Sequence, residues 1–180
     1  LPRSGSTVYL ATGDSSGRMV SFIQSNFEGF GSGIVVPNTG IALQNRGIGF
    51  SLDVSHPNCL GPSKRPFHTI IPAFIEQSGG SSVAFGIMGG SMQPQGHVQV
   101  ACRMIFAGQN PQAALDAPRW RLAGGNKVAI EQGWNADLYD TLRIMGHDLE
   151  IAEERSVAFG GGQVVYQVNQ GYVGASDQRR

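Results

Sequence analysis

Thr7 is the residue of this 180-residue sequence best placed to do chemistry, because two small residues, Gly5 and Ser6, precede it. A hydroxyl at that position can attack the Ser6 carbonyl, shift the acyl group from nitrogen to oxygen, and leave an ester that water hydrolyses. Thr7 then becomes an N-terminus, and its α-amine, with an ordinary pKa of about 7.7 to 8.0, can act as base toward its own hydroxyl. The competing interpretation is that Thr7 is only a good strand former in a β-branched run.

Acyl transfer of this kind also needs N–H donors that face the developing oxyanion, and Gly89 and Gly90 are the candidates. They separate an apolar run from a helical pattern, so their N–H groups would stand near the start of a helix. A plain turn explains the same pair of glycines. The four histidines, at positions 56, 68, 97 and 147, show no metal-ligand spacing. We therefore predict neither a metal nor a cofactor.

Charge and hydropathy exclude several classes of partner. The 13 basic and 13 acidic side chains cancel, unlike the electropositive surface of a protein that binds nucleic acid or anionic lipid. No apolar run approaches the roughly 20 residues that a bilayer span needs, and residues 1–6 do not resemble a signal peptide. We expect a soluble protein with no nucleic-acid or membrane partner. The compartment stays open, with the cytoplasm favoured over the periplasm or secretion.

Apolar patterns predict the strands that must position these residues. Two β-hairpins are expected, with turns at residues 14–17 and 78–80. The predicted strands are 7–12, 18–23, 34–36, 69–76, 82–87, 127–131, 149–152, 163–168 and 172–173. Hairpins followed by helices, and then by strands again, indicate an α+β architecture of antiparallel sheets covered by helices.

Three helices are predicted between the strands. Pro94 suits a first helical turn, and the apolar residues that follow at i, i+3, i+4 and i+7 should form the buried face of this helix. These residues are Val98, Ala101, Cys102 and Ile105. Cys59 and Cys102 show neither paired metal-ligand spacing nor the density of a disulfide scaffold, so both are expected to be buried thiols. Asn110 and Asn135 should cap the two further helices, because an asparagine side chain accepts from the first N–H groups of a helix.

Six ordered segments of the sequence resemble the small subunit of γ-glutamyltransferases and of related acylases. They are Thr7 with the strand and turn that follow, GFGSGIVV at 29–36, GPSKRP at 61–66, GIMGGS at 86–91, NPQAALDAPR at 110–119 and GASD at 174–177. The resemblance covers almost the whole chain. It implies an N-terminal-nucleophile (Ntn) hydrolase fold, a four-layer αββα sandwich, whose precursor cleaves itself into a large and a small subunit that stay together. Residues 1–6 would then remain from the segment before the cleavage point, and residues 7–180 would be the small-subunit part, with the large subunit as partner.

The resemblance also implies roles for individual residues. Thr7 falls on the position of the family's nucleophile, and Gly89 and Gly90 fall on its oxyanion pair. Ser25 falls where the family has a threonine that assists self-cleavage, so the hydroxyl is kept. An acyl-enzyme on Thr7, formed from a γ-glutamyl amide such as glutathione, would pass to water or to an amine.

The sequence departs from the family pattern mainly where typical members bind the α-amino and α-carboxylate groups of glutamate. A substrate-binding asparagine of the family aligns with Phe27, although Asn26 is adjacent. The family's two ligands for the amino group, an amide and an aspartate, align with Arg46 and Gly49. A serine pair becomes His68-Thr69, which keeps hydrogen-bonding capacity but changes shape and charge. We therefore expect Asn26, Arg46 and His68-Thr69 to line the substrate pocket.

Three functional hypotheses remain. The first is a γ-glutamyl hydrolase or transferase. The second is an acylase of the same fold that cleaves other carboxylated amides, of glutaryl or cephalosporin type, with Arg46 binding the distal acid. Arg46 as a surface ion pair is the simpler alternative for that residue. The third is a catalytically silent relative, because the amine of Thr7 still carries six residues in this chain.

Overall fold

A computed structural model of the protein describes residues 7–153 and 155–179, so the predicted precursor remnant at residues 1–6 lies outside the described part. The strands are β1 (Val8–Gly13), β2 (Met19–Gln24), β3 (Ala73–Glu76), β4 (Ser82–Met88), β5 (Trp120–Gly124), β6 (Lys127–Ile130), β7 (Asp148–Ile151), β8 (Gly161–Val168) and β9 (Gly171–Ser176). The α-helices are α1 (Met92–Ile105), α2 (Pro111–Asp116) and α3 (Ala136–Ile144), and Arg46–Gly49 and Val157–Phe159 form 3₁₀ turns. Both predicted hairpins are present, β1–β2 and β3–β4.

The centre of the fold is an antiparallel sheet in the order β3-β4-β8-β9. From Val83 onward its strand β4 is an apolar run that is buried on both faces. Ile87 faces α1, whose Gly96 lies so close that an added Cβ would stand 2.7 Å from Ile87 Cγ2. Gly86, the preceding residue, faces the β1–β2 hairpin, and the ring of Tyr9 packs directly on it. The sheet is therefore covered by helices on one face and by the hairpin on the other.

The direction of β1 follows from the contacts at its two ends. Tyr9 lies on Gly86, toward the carboxyl end of β4, whereas Gly13 lies against the ring of Tyr172 at the end of the sheet where β4 begins. β1 thus runs antiparallel to β4 across the sheet face. Its residues alternate between a buried and an exposed side, and the exposed apolar residues of the hairpin are Val8, Leu10, Val20 and Phe22.

A separate three-stranded sheet, in the order β5-β6-β7, lies next to the helical layer. β6 and β7 are parallel and are joined through α3. The sequence patterns did not predict β5. Side chains of α1 fix its position, because Gln99 bonds both the N–H and the C=O of Trp120, at 3.1 and 2.9 Å, and Gln95 Oε1 accepts from Leu122 N at 2.7 Å. Among the described residues no helix has the length and apolar character to cross a bilayer.

The predicted helix caps are confirmed, but the predicted buried face of α1 is wrong at three of its four residues, since only Ala101 packs against the core. The side chains of Asn110 and Asn135 each accept a hydrogen bond from the N–H of a first-turn residue of α2 and α3 respectively. In α1, by contrast, Val98 is 61% and Ile105 is 49% exposed, and Cys102 is exposed as well. Other residues of α1 lie against the sheet.

The buried face of α1 is defined by close approach and by hydrogen bonds. It carries Gly96, His97 and Val100. His97 Nδ1 lies 2.6 Å from the Gln93 carbonyl, and its Nε2 accepts from the N–H of Ile87 at 3.4 Å. Burial lowers the pKa of His97, so the imidazole is neutral at pH 7. The imidazole of His97 can occupy this buried position because each of its two ring nitrogens has a hydrogen-bond partner.

Candidate active site

Thr7 and Ser25 are brought together by the β1–β2 hairpin. The last described pair of this ladder is Val8 with Gln24, and continuing its register by one residue sets Thr7 opposite Ser25. Residues directly opposite on antiparallel strands have Cα atoms about 4.5 to 5.5 Å apart. Side chains alternate along a strand, so Thr7 faces the central sheet on the same side as Tyr9, and it is only 3% exposed. The two hydroxyl residues predicted to act in self-cleavage thus flank the last pair of the same hairpin.

Gly89 and Gly90 lie between the carboxyl end of β4 and the start of α1. Their φ angles are 138° and 59°, in the region that favours glycine. Their carbonyls accept from the N–H groups of Met92 and Gln93, both at 3.1 Å, so the turn leads directly into the helix. Because β1 runs antiparallel to β4, Thr7 lies over this same end of the sheet. The structure thus places the predicted nucleophile and the predicted oxyanion pair at one edge.

A third glycine, Gly160, supports this turn. A Cβ added to Gly89 would stand 3.0 Å from the Cα of Gly160. A Cβ on Gly160 would in turn lie 2.7 Å from Ile87 Cγ2 and 2.8 Å from the carbonyl oxygen of Met88. The two backbones therefore touch, and neither position has room for a side chain. The glycine cluster at residues 160–162 was visible in the sequence, but nothing there indicated that it meets residue 89.

A buried network of four charged side chains holds the Gly160 segment. Arg119 is 0% exposed and pairs with Asp177 Oδ2 at 2.5 Å. Arg179 bonds Asp177 Oδ1 at 3.0 Å and binds both carboxylate oxygens of Glu131. The two positive and two negative charges balance, and each has several hydrogen bonds, which is the condition under which buried charges are tolerated.

The network reaches the candidate active site through main-chain carbonyls. Arg119 Nη1 donates to the carbonyls of Phe159 and Gly160, at 3.0 and 3.1 Å. Asp177 Oδ2 also accepts from Gly162 N at 3.1 Å, at the start of β8. The segment that packs on Gly89 is therefore anchored at both ends by one ion pair. Arg119 and Asp177 end two of the six segments that carry the family resemblance, yet they are 58 residues apart, and sequence reasoning assigned neither a role.

Arg46 lies beside Phe27, and Phe27 is in turn bonded to Ser25. Its guanidinium carbon is 5.2 Å from the Phe27 ring centroid, within the range of a cation–π contact. Phe27 has a φ of 79°, rare for a residue with a side chain, and its N–H donates to Ser25 Oγ at 2.9 Å. Partial burial lowers the pKa of Arg46. No ion pair joins Arg46 to a carboxylate within residues 7–153 and 155–179, which disfavours the interpretation of Arg46 as half of a surface salt bridge.

The predicted pair His68-Thr69 lies in the segment that precedes β3. His68 is exposed and Thr69 is half-buried, and in the described part of the chain neither side chain forms a hydrogen bond. Asn58 links this segment to the 3₁₀ turn Arg46–Gly49, called here the turn of Arg46. Sequence reasoning gave Asn58 no role. Asn26 is half-buried, and its carbonyl accepts from Asn45 N at 3.1 Å.

The part of the chain that the structure describes contains no candidate metal site. No three His, Cys, Asp or Glu side chains there are grouped so that they could hold an ion.

The layered α+β arrangement places the chain in the Ntn-hydrolase class, as expected. The solved structure of a cephalosporin acylase from Bacillus halodurans superimposes with a TM-score of 0.86 and 49% identity, over 95% of this chain and 32% of that one. The sequence pattern of the gamma-glutamyltranspeptidase family matches residues 1–180, and the chain belongs to this family. The predicted family and fold class are thus confirmed.

Two curated relatives have proenzyme in their names. Oxamate amidohydrolase proenzyme of Klebsiella pneumoniae is 40% identical over 97% of this chain and 34% of its own length. Glutathione hydrolase-like YwrD proenzyme of Bacillus subtilis is 36% identical over 99% of this chain and 35% of its own length. The chain therefore spans about a third of the relatives that it matches.

Proposed function

We propose that the complete protein is an amidase whose nucleophile is Thr7, made N-terminal by cleavage of the Ser6–Thr7 bond in a precursor. The observation that carries this proposal is the buried position of Thr7, opposite Ser25 and over the strand end that leads into Gly89 and Gly90. A threonine that served only as a strand former would not need a second hydroxyl and a glycine turn beside it.

The residues suggest the following course of reaction. The α-amine of Thr7 takes the proton of its own hydroxyl while Oγ1 attacks the amide carbonyl of the substrate. The N–H groups of Gly89 and Gly90, at the positive end of α1, stabilise the oxyanion of the tetrahedral intermediate. The amine leaves with the proton, and an ester remains on Thr7. Water or a second amine then attacks the ester and frees the acyl group.

We also propose that this chain is the nucleophile-bearing part of a longer, processed precursor. The proenzyme names of both relatives, and the fact that the chain spans about a third of their length, support this. The exposed apolar face of the β1–β2 hairpin would bind the larger part of the same precursor, because apolar sheet faces are normally covered. No nucleic acid or membrane enters the proposal.

For the substrate, the structure favours a carboxylated acyl group without an α-amino group. Arg46 stacks on Phe27 with no carboxylate partner among the described residues, and Gly49 offers no acid to a substrate ammonium. A guanidinium in this state suits bidentate binding of a carboxylate. The Klebsiella relative is named for oxamate, itself a carboxylated amide. A γ-glutamyl amide such as glutathione is the second candidate, in keeping with the name of the Bacillus subtilis relative.

Intact-mass analysis of the complete precursor, followed by a screen of amide substrates, tests the proposal. A break between Ser6 and Thr7, together with hydrolysis of carboxylated anilides, is the expected outcome. An intact precursor without amidase activity would instead favour a silent member of the family.

The specificity of the site is predicted to change in Arg46→Gln. We expect the ratio of kcat/KM for glutaryl over γ-glutamyl anilide to fall about tenfold or more, because a charge-assisted bidentate contact is lost. Matched anilides, measured in wild type and variant, give this ratio directly. Arg143→Gln is the control, since Arg143 is exposed on α3 and pairs with Asp140. A wild-type preference for γ-glutamyl that Arg46→Gln leaves untouched would return Arg46 to a surface role.

Turnover is predicted to fall about 100-fold in Gly89→Ala, with a smaller change in KM, because the oxyanion contact is made chiefly in the transition state. The added methyl would meet Gly160 at 3.0 Å and would sit on a backbone with φ of 138°. Steady-state kinetics of the folded variant measure the effect. Gly79→Ala is the matched control, because its Cβ meets nothing within 4 Å. Equal turnover in both variants would place the oxyanion donors elsewhere.

A further inference from the structure

The turn of Arg46 is held on its N-terminal side by Asn45. Asn45 N donates to the Asn26 carbonyl at 3.1 Å, and Asn45 Oδ1 accepts from Glu28 N at 3.0 Å. Its Nδ2 donates to the carbonyl of Gly31 at 3.1 Å. One amide side chain therefore joins Arg46 to the loop that carries Asn26 and Phe27.

A second asparagine, Asn58, holds the other side of the same turn. Asn58 Nδ2 donates to the Gly49 carbonyl at 2.7 Å, and Asn58 Oδ1 accepts from Phe67 N at 2.9 Å. Gly49 and Phe67 are themselves close, since a Cβ on Gly49 would stand 3.4 Å from the Phe67 carbonyl oxygen. The amide thus spans two backbones that come from different segments, one bearing Arg46 and the other bearing His68-Thr69.

The orientation of Asn58 is fixed by its own loop. Its carbonyl accepts from Ser51 N at 3.0 Å, and its N–H donates to His56 Nδ1 at 3.0 Å. Lys64 contacts the neighbouring residue of this loop rather than Asn58 itself, because its Nζ donates to the carbonyl of Pro57 at 2.6 Å. The residue Asn58 is half-buried, whereas the two hydrogen bonds of its side chain lie at the surface of the described chain.

We propose that Asn58 is a positioning residue that fixes the turn of Arg46 against the His68-Thr69 segment, and that the position this gives to the Arg46 guanidinium sets the length of the carboxylated acyl group that can reach Thr7. This inference rests on the proposed role of Arg46. A carboxamide provides one donor and one acceptor at a fixed separation, which is what Gly49 C=O and Phe67 N–H require. Without it, each backbone group bonds water and the two segments are no longer joined at this point.

Asn58→Asp is the sharpest substitution, because it keeps the shape of the side chain but loses the donor to Gly49. With anilides of succinate, glutarate and adipate, we expect KM for the favoured length to rise about five- to tenfold while kcat changes less than about threefold. The preference among the three lengths should become flatter. Asn58→Ala, which removes both hydrogen bonds, should do the same and serves as the second variant if the aspartate protein is poorly folded.

Lys64→Met is the matched control, since it removes a hydrogen bond of the same loop without touching Gly49 or Phe67. It should leave KM and the length preference unchanged. A rise in KM equal to that of Asn58→Asp would mean that any loosening of the loop has this effect, and it would overturn the inference.

The double variant of Asn58→Asp and Arg46→Gln shows whether Asn58 acts through Arg46. We expect no further rise in KM over Arg46→Gln alone, because the group being positioned is already gone. Independent, multiplying effects would overturn the inference, as would an unchanged KM in Asn58→Asp when Arg46→Gln raises it. A wild-type protein that cleaves no carboxylated anilide, or an Arg46→Gln variant without effect, would instead contradict the proposed function itself.

Discussion

Replacing Thr7 by alanine in the complete precursor is expected to lower amide hydrolysis by about 10⁴-fold or more and to leave the Ser6–Thr7 bond intact. One hydroxyl is proposed to serve both reactions, and loss of a nucleophile has effects of this order in enzymes that form an acyl intermediate. Mass analysis reports the cleavage, and hydrolysis of the preferred anilide reports the turnover. Thr7→Ser should retain part of both activities, because it keeps a hydroxyl.

The matched control is Thr12→Ala on the same strand. Thr12 is exposed and pairs with Val20, away from the end of β4 that carries the glycine turn. This variant should cleave itself and turn over substrate like the wild type. Efficient cleavage of the Thr7→Ala precursor would remove Thr7 from the mechanism, even if the amidase activity were low for another reason.

The second large effect is expected for Arg119→Leu, which should lower the free energy of unfolding by about 3 to 5 kcal/mol. Arg119 and Arg179 together neutralise Asp177 and Glu131 in a region with almost no solvent access. Without Arg119, one guanidinium remains for two buried carboxylates, and the carbonyls of Phe159 and Gly160 lose their donor. Urea unfolding of the assembled protein measures the change.

Lys127→Gln provides the comparison, because it breaks an ion pair with Glu150 that is 2.9 Å long but open to solvent. Its unfolding midpoint should be nearly that of the wild type, since exposed pairs gain little over hydration. If Arg119→Leu shifted the midpoint no more than this control, the buried network would not be holding the fold as its hydrogen bonds suggest.

The sequence by itself determined the local elements of this protein. Both hairpins, the strand β4 and the caps at Asn110 and Asn135 were predicted, because β-branched runs, turn residues and capping side chains act through neighbours in the chain. The ordered motifs also identified the family and the fold. The hairpin that sets Thr7 opposite Ser25 belongs to this local part, since its turn fixes the register.

Tertiary structure alone decided which surfaces meet. Apolar spacing favoured Val98 and Ile105 for the buried face of α1, whereas close approach at Gly96 and paired hydrogen bonds at His97 turned another face inward. β5 forms where glutamine side chains of α1 bond its backbone, and its own short sequence does not indicate this.

The sequence likewise did not predict which distant segments of the chain meet at the candidate site. Arg119 meets Asp177 across 58 residues, and Asn58 joins the turn of Arg46 to the segment of His68. Periodicity and motifs report interactions between residues that are close together in the chain. They carry no information on which distant carbonyl or carboxylate satisfies a buried donor, because that partner exists only once the backbones have packed together.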